Sequence, residues 1–228
     1  MEEFMRKYAI YLSVGIAIIL HLFLHSSYAD EVASELKYLD QFTLIGPKNF
    51  LTDFEPINSV GTINVVIEIP AGTAAKWEVD KKDGYLKWEF KEGKPRIVNY
   101  LGYPGNYGMI PQTLLSKELG GDGDPIDVLV LGAMVPRGSV VEAKLIGILK
   151  FLDGGEQDDK LLAVLPGTPF FDINDIQELD KKFKGTSTII DIWFANYKGP
   201  SKVESKGIAS VEEAKKVLNL AIKAYKNQ

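Results

Sequence analysis

The order of the predicted secondary structure constrains the fold most strongly, because strand-like segments come first and helical periodicity appears only near the C-terminal end. The strand-like segments are rich in apolar and β-branched residues and are bounded by Gly, Pro or Asp. They are Thr62–Ile69, Lys76–Asp80, Tyr85–Phe90, Ile126–Leu131, Ser139–Phe151 and Leu161–Leu165. Lys82–Gly84 predicts a hairpin turn between the second and the third segment. Strands followed by helices are typical of one α+β domain with a strongly curved or closed sheet.

Two helices are predicted after the strands. The first covers residues 174–183, and its apolar residues share one face: Ile173, Ile176, Leu179 and Phe183. Ser210 and Glu213 form a capping box, which opens a second amphipathic helix. Residues 30–58 carry Gly-Pro and Glu-Pro pairs and are expected to form a loop-like lead-in.

Residues 1–29 have the pattern of a secretory signal peptide. Arg6 and Lys7 precede an apolar run over residues 8–24, and Ser27–Ala29 matches a small-x-small cleavage site. We expect cleavage after Ala29 and export to the periplasm or the exterior. The alternative is a membrane anchor through residues 8–24, a run near the lower length limit for crossing a bilayer.

Composition excludes several classes of function. The 228 residues include no Cys and two His, and both His21 and His25 lie in the leader. An exported chain would therefore contain no Cys–His pair, Ser-His-Asp triad or imidazole metal site. The net charge is −5, with 26 basic and 31 acidic residues, so there is no overall basic field to hold nucleic acid. Carboxylates and other hard oxygen ligands favour Mg²⁺, Mn²⁺ or Ca²⁺ over Zn²⁺.

The densest chemical pattern is the segment from Gly120 to Leu131, where Asp122, Asp124 and Asp127 lie within six residues and run into an apolar strand. Three carboxylates held so close together are electrostatically costly unless a cation binds them. A solvated acidic turn is the plainer alternative. An EF-hand is excluded by spacing, because Ala133 stands where that loop needs its bidentate Glu.

A second acidic cluster, from Asp153 to Lys160, follows the next long strand. If the two acidic loops face one another, they can share metal ions. The remaining polar residues of note are cations and phenols, namely Arg96, Tyr103, Tyr107, Lys160, Tyr197 and Lys198. Together these groups predict a pocket for a polyanionic phosphate bridged by metal ions.

Five segments, in this order, carry a family resemblance: Val65–Pro70, Lys76–Asp80, Tyr103–Gly108, Asp122–Val128 and Tyr197–Lys198. From about Ser59 to the C-terminus the chain resembles the family I soluble inorganic pyrophosphatases. The resemblance implies a five-stranded, OB-like β-barrel with flanking α-helices. It also implies Mg²⁺-dependent hydrolysis of inorganic pyrophosphate to two phosphates by a metal-activated water, with several ions bound and Mn²⁺ as a substitute.

The resemblance assigns roles to individual residues of this chain. It implies magnesium ligands at Asp122, Asp127, Asp153 and Asp158, with Glu68 supporting a further ion or its waters. It makes Asp124 the general base for the attacking water. The implied substrate-binding residues are Lys76, Arg96, Tyr107, Lys160, Tyr197 and Lys198, and Glu78 and Tyr103 would orient them.

The expected organisation is a signal peptide at 1–29, a lead-in at 30–58 and a catalytic domain at 59–228. Bacterial relatives assemble as homohexamers, so the resemblance implies a homo-oligomer, and membrane contact is expected only if the leader is retained. A different class of function stays open, namely a non-catalytic extracytoplasmic protein that binds phosphate or calcium. Asp124 discriminates between them, because a binding protein has no need for a third carboxylate between two metal ligands.

Overall fold

Strands occupy the first two thirds of the folded chain and helices come late. The computed structural model describes residues 36–117, 120–121 and 123–227. Its strands are β1 (Lys37–Asp40), β2 (Thr43–Ile45), β3 (Ile63–Ile69), β4 (Trp77–Val79), β5 (Leu86–Trp88), β6 (Phe90–Lys91), β7 (Lys94–Pro95), β8 (Asn106–Met109), β9 (Asp127–Leu131), β10 (Val140–Asp153), β11 (Glu156–Gln157), β12 (Lys160–Val164) and β13 (Val203–Ala209). Its helices are α1 (Ile176–Lys182), α2 (Thr186–Asn196) and α3 (Val211–Lys226). The predicted α+β class is confirmed.

The central sheet is built from β3, β8, β9, β12 and β10, which pair in that order. Strand β10 also pairs with β3, so each of these five strands has two hydrogen-bonded neighbours within the set. All the pairings are antiparallel except that between β9 and β12, which is parallel. The parallel pair sets Lys160 opposite Asp127. Two residues 33 positions apart in the sequence thus become neighbours at one end of the sheet.

Both faces of the central sheet are buried, which explains its continuous apolar strands. On β9, Leu129 and Leu131 belong to the core that includes Ile190 and Trp193 of α2. The alternate residues Val128 and Val130 belong to a second core, which lies under Ala214 and Leu218 of α3. The period-2 alternation of the strand therefore divides its side chains between two cores.

Gly108 shows how closely β3 and β8 approach each other. A Cβ atom at this position would lie 1.8 Å from the carbonyl oxygen of Val66 and 2.8 Å from its carbonyl carbon. Both neighbours are backbone atoms, which cannot rotate away as a side chain can. Only glycine allows this approach.

The described part of the lead-in over residues 30–58 is mostly loop, as expected, but it also forms the two short strands β1 and β2, which were not predicted. Strands β1 and β2 pair with each other, and β2 also pairs with β5 of the β4–β5 hairpin. The result is a four-stranded sheet in the order β1, β2, β5, β4. Leu44, Phe50 and Phe54 are buried against this sheet. The partner of β2 lies about 40 residues further along the chain, so the local sequence pattern does not reveal the pairing.

The two predicted helices are present, but a third helix and several strands, among them β8 and β13, were missed. Helix α1 begins after Asp175, whose carboxylate accepts from the backbone N–H of Glu178, and α3 begins after Ser210. Helix α2 has Gly185 at its N-cap and no side-chain cap, and it lacks acidic residues in its first turn. It therefore carries none of the usual start signals. Strand β13 is stabilised by pairing with β10.

Replacing Ser210 with Ala removes the cap of α3. The Ser210 hydroxyl oxygen accepts from the backbone N–H of Glu213 at 3.3 Å. We expect the free energy of unfolding to fall by about 1 kcal/mol, measured by urea denaturation followed by circular dichroism. Lys215→Ala, an exposed change in the same helix, is the control and should stay within about 0.5 kcal/mol of the parent. Equal losses in the two variants would contradict the capping role.

The predicted leader, including the apolar run over residues 8–24, lies outside the described residues. In the part of the chain that the structure does describe, no helix has the length and apolar character needed to cross a membrane.

Candidate active site

The predicted site residues come together in one polar cleft of about 300 Å³. Its walls combine acidic residues with cations and phenols, and those predicted from the sequence are Lys76, Glu78, Arg96, Tyr107, Asp124, Asp127, Asp153, Asp158, Lys160, Tyr197 and Lys198. A second cavity of about 420 Å³ adjoins it, shares Lys76 and Asp127 and contains Glu68. The two acidic loops thus face the same cleft, as predicted. Asp122 lies outside the described residues.

The centre of the cleft is a buried lysine between two carboxylates. Lys160 is 2% exposed, and its Nζ lies 2.8 Å from Asp127 Oδ2 and 2.7 Å from Asp158 Oδ1. Burial opposes the charge of Lys160, but the two carboxylates outweigh it and raise the pKa of the ammonium group. Burial also raises the pKa of Asp158, whereas Lys160 and Lys76 outweigh burial at Asp127 and lower its pKa. Lys160 therefore offsets part of the negative charge that the two carboxylates bring to this end of the cleft.

A second lysine ties the other acidic loop into the cleft. Lys198 donates to Asp153, and its Nζ lies 4.0 Å from Asp158 Oδ2. It follows Tyr197, whose ring stacks on Trp193 with ring centroids 4.8 Å apart and an interplanar angle of 12°. Gly154 and Gly155, which both have positive φ values, make the turn after Asp153. Helix α2 thus aims Tyr197 and Lys198 at the same carboxylates that the β10–β12 hairpin presents.

Glu68 lies deep beside Lys76. The side chain of Glu68 is buried, and its Oε1 accepts from the backbone N–H of Val79 at 2.7 Å. Burial raises the pKa of Glu68 to about 8, although the charge of Lys76 opposes the shift. Lys76 Nζ lies 3.1 Å from Glu78 Oε2. Glu78 therefore forms an ion pair with the ammonium group of Lys76, and its supporting role stays a prediction.

Of the three predicted tyrosines, Tyr107 and Tyr197 line the cleft, whereas Tyr103 packs on Tyr107 and is absent from the cleft wall. Tyr103 and Tyr107 are both buried, and their ring centroids lie 5.0 Å apart. Burial raises the pKa of both phenols, so they stay neutral hydrogen-bond donors at ordinary pH. A hydrogen bond from Tyr107 helps to hold the pKa of Asp127 low against burial. Tyr103 lies beneath Tyr107 and supports it.

Two partners of predicted site residues were missed from the sequence. Glu89 accepts from Arg96 Nη1 through both of its oxygens, at 2.8 and 2.7 Å, and it lines the cleft. Lys81 donates to Asp124, which is half exposed. Glu89 lines the cleft and Lys81 borders the adjoining cavity, and both lie in or next to the β4–β5 hairpin. Charged residues in a hairpin are usually surface residues, so nothing in the local sequence marks them as part of the site.

Comparisons with known proteins identify relatives of this chain. The family model described as "Inorganic pyrophosphatase" matches residues 65–226. A relative from Helicobacter pylori named inorganic pyrophosphatase is 38% identical over 184 residues, which cover 77% of this chain and 98% of the relative.

The chain belongs to the inorganic pyrophosphatase family. A relative from Caenorhabditis elegans, inorganic pyrophosphatase 1, is 37% identical over 153 residues and is longer, so the match covers 60% of this chain and 36% of the relative. The solved structure of a type I inorganic pyrophosphatase from Toxoplasma gondii has a TM-score of 0.78 and 26% identity. That match covers 84% of this chain and 97% of the other. The inorganic pyrophosphatase fold therefore extends beyond the segment that the family model matches.

The cleft of this inorganic pyrophosphatase family member offers the donor chemistry that Mg²⁺ requires. Asp127, Asp153 and Asp158 face one another across it, and all three are hard oxygen donors. Within the described residues no group of three or more such side chains is arranged to hold an ion. Lys160 and Lys198 instead pair with these carboxylates. The residues fit magnesium provided that the lysines turn away from the carboxylates towards a bound anion.

Proposed function

We propose that this protein hydrolyses inorganic pyrophosphate to two phosphates. The observation that carries the proposal is the convergence of carboxylates and cations from distant parts of the chain in a single cleft of about 300 Å³. Ordinary surface charges do not converge in this way, because burying a charge is costly unless it is paired. A small polyanion that brings its own cations satisfies both groups of residues at once.

The cations of the cleft bind and orient the substrate. The guanidinium of Arg96, already held by Glu89, presents paired N–H donors that match phosphate oxygens. The ammonium groups of Lys76, Lys160 and Lys198 supply further positive charge, and Tyr107 and Tyr197 supply neutral donors. Interactions with the departing phosphate strengthen as its charge develops, so they lower the barrier and do not merely tighten binding.

Asp127, Asp153 and Asp158 are proposed to hold magnesium, together with Asp122 and with Glu68 supporting a further ion. Bound Mg²⁺ supplies charge that stabilises phosphate oxygens and lowers the pKa of water, and Mn²⁺ is a plausible substitute because it accepts the same oxygen ligands. Asp124 acts as the general base that accepts the last proton of the attacking water. Its partial exposure in the cleft leaves room for both water and substrate.

We also propose that the five central strands form a closed, OB-like barrel. The support is the pairing of β10 with both β12 and β3, which leaves none of the five described strands with an unpaired edge within the set. Closure removes exposed sheet edges and makes the strand ends rigid. A rigid rim suits a site whose carboxylates come from different strands.

Release of phosphate from pyrophosphate, with Mg²⁺ and then with excess EDTA, tests the proposed function. We expect turnover that requires Mg²⁺. Binding of pyrophosphate or calcium without release of phosphate would contradict the enzyme and identify a non-catalytic binding protein instead. The same assay with Mn²⁺ tests the substitute ion.

Arg96→Lys tests the paired recognition of phosphate. Lysine keeps the charge but loses the planar fork. Arg96 holds Glu89 through Nη1 alone, which leaves its other N–H groups for phosphate, whereas the single ammonium nitrogen of lysine would have to serve both partners. We expect kcat/KM for pyrophosphate to fall about tenfold, the loss of roughly one charge-assisted hydrogen bond. Lys94→Arg, an exposed change nearby, serves as the control. Unchanged kinetics in Arg96→Lys would place Arg96 outside the substrate site.

Assembly and location complete the proposal. We propose a homo-oligomer, a hexamer by analogy with bacterial relatives, which light scattering on the purified protein would test. We propose export with removal of residues 1–29, supported by the sequence pattern of that segment. Mass spectrometry of the protein from its source would find an N-terminus at Asp30 if the leader is cleaved, and Met1 if it is retained as an anchor.

A further inference from the structure

Asp159 lies between two residues of the cleft but on the opposite side of the strand. Its neighbours Asp158 and Lys160 line the cleft, whereas Asp159 is 2% exposed and is absent from the cleft wall. Side chains alternate along an extended chain, so Asp159 points away from the substrate site. A buried carboxylate in such a position needs partners.

Asp159 has three partners, and all of them belong to the hairpin that presents the cleft carboxylates. Its Oδ2 lies 2.5 Å from Lys150 Nζ and accepts from Gln157 Nε2 at 2.6 Å. Its Oδ1 accepts from the backbone N–H of Phe151 at 3.2 Å. Lys150 and Phe151 lie on β10 and Gln157 on β11, so one carboxylate joins both sides of the turn that follows Asp153.

The contact with Phe151 repairs a break in the strand pairing. Lys160 pairs with Leu149 and Gln157 pairs with Leu152, but the two residues between Gln157 and Lys160 lie outside the strands. At this break the backbone N–H of Asp158 still donates to the Phe151 carbonyl at 3.0 Å. The N–H of Phe151 donates to the Asp159 side chain. The carboxylate thus replaces a backbone acceptor at the place where Asp158 projects into the cleft.

We infer that Asp159 is a positioning residue for the reaction. By holding Phe151, Gln157 and Lys150 it fixes the hairpin between Asp153 and Lys160, and with it the spacing of the Asp153 and Asp158 carboxylates. The inference rests on the proposed function, in which those two carboxylates bind magnesium. Partners behind the ligands of a metal site commonly control its affinity, and their loss costs about tenfold or more.

Asp159→Ala removes all three contacts and is the main test. With folding verified by circular dichroism, we expect Mg²⁺ binding, measured by calorimetry without substrate, to weaken about tenfold. We expect kcat to fall by a similar factor, while KM for pyrophosphate at saturating Mg²⁺ stays within about twofold because the phosphate-binding cations are untouched. Parental Mg²⁺ affinity and kcat in the folded variant would overturn the inference.

Two further variants separate positioning from stability. Asp159→Asn keeps an oxygen that can accept from Phe151, so it should restore more than half of the lost Mg²⁺ affinity on a logarithmic scale. If the Ala variant does not fold, the Asn variant decides: Mg²⁺ binding about twofold to threefold weaker than the parent supports the inference, and parental affinity overturns it. Asp175→Ala removes the cap of helix α1, which contributes no residue to the cleft wall or to the contacts of Asp159, and it should leave Mg²⁺ affinity and kcat unchanged. An equal loss of affinity in Asp175→Ala would overturn the inference.

Calorimetry also keeps this inference distinct from the proposed function. If the parent releases no phosphate but binds Mg²⁺, the proposed function fails, and a loss of affinity in Asp159→Ala still supports the positioning role. If the parent binds no Mg²⁺, both fail.

Discussion

Asp124→Asn is expected to lower kcat by about 10²- to 10⁴-fold, the usual contribution of a general base, while the fold and Mg²⁺ binding are retained. Asparagine has nearly the same shape as aspartate but cannot accept a proton from water. Asp124 lines the cleft, is half exposed and pairs with Lys81 rather than with the lysines that hold the other carboxylates. Initial rates at saturating Mg²⁺ and pyrophosphate measure the effect, and calorimetry checks metal binding.

Two control variants narrow the interpretation of that result. Asp172→Asn removes the same charge from an exposed position outside the cleft and should leave kcat within about twofold of the parent. Lys81→Met removes the partner of Asp124. If Lys81→Met lost as much activity as Asp124→Asn, Asp124 would act by holding Lys81 and not as the base. Parental activity in Asp124→Asn would show that the base is another group.

Lys160→Met is expected to destabilise the metal-free protein by about 3 kcal/mol, because removing one member of a buried ionic group leaves the others uncompensated. Lys160 is 2% exposed and lies between Asp127 and Asp158 at 2.8 and 2.7 Å. Saturating Mg²⁺ should recover most of this loss, since an ion that binds only the folded state stabilises it. Urea denaturation in EDTA and in Mg²⁺ measures both free energies.

Lys87→Met is the matched control for this result. Lys87 also faces two carboxylates, Asp83 at 2.6 Å and Asp80 at 3.5 Å, but about a third of its side chain is exposed. Exposed ion pairs contribute about 0 to 1 kcal/mol. Lys87 borders the adjoining cavity, but its partners Asp80 and Asp83 are not proposed magnesium ligands, so its loss should be small and change little with Mg²⁺. Equal effects in the two variants, or a gain in stability for Lys160→Met in EDTA, would contradict a compensating role for Lys160.

The membership of the cleft was largely predictable from the sequence, but its internal pairing was not. The acidic segment ending at Asp127 and the cluster from Asp153 to Lys160 are visible in the local sequence, and the repulsion between their carboxylates indicates that cations bind them. That Lys160 lies between Asp127 and Asp158 follows from the parallel pairing of β9 and β12. Such pairing joins residues that are 33 positions apart in the sequence, so it cannot be recognised from the local sequence pattern.

The fold divides in the same way. Strand β3 and helix α3 were predicted because a run of β-branched residues and a capping box are local features. Helix α2 was missed for two reasons. Gly185 offers no side-chain cap, and the helix carries apolar residues on more than one face, so its sequence lacks the polar stripe that marks an amphipathic helix. The strands of the lead-in were missed because β2 depends on β5, which is distant in sequence.

The stacking of Trp193 on Tyr197 has an optical consequence. Trp88 borders the cavity beside the cleft and stacks on Trp77 with ring centroids 5.4 Å apart. Each of the three tryptophans of the chain therefore either borders a cavity of the site or stacks on a residue that does. Indole emission responds to nearby charge and to the polarity of its surroundings. The protein therefore carries its own fluorescent reporter, and filling of the cleft can be followed in real time without a label.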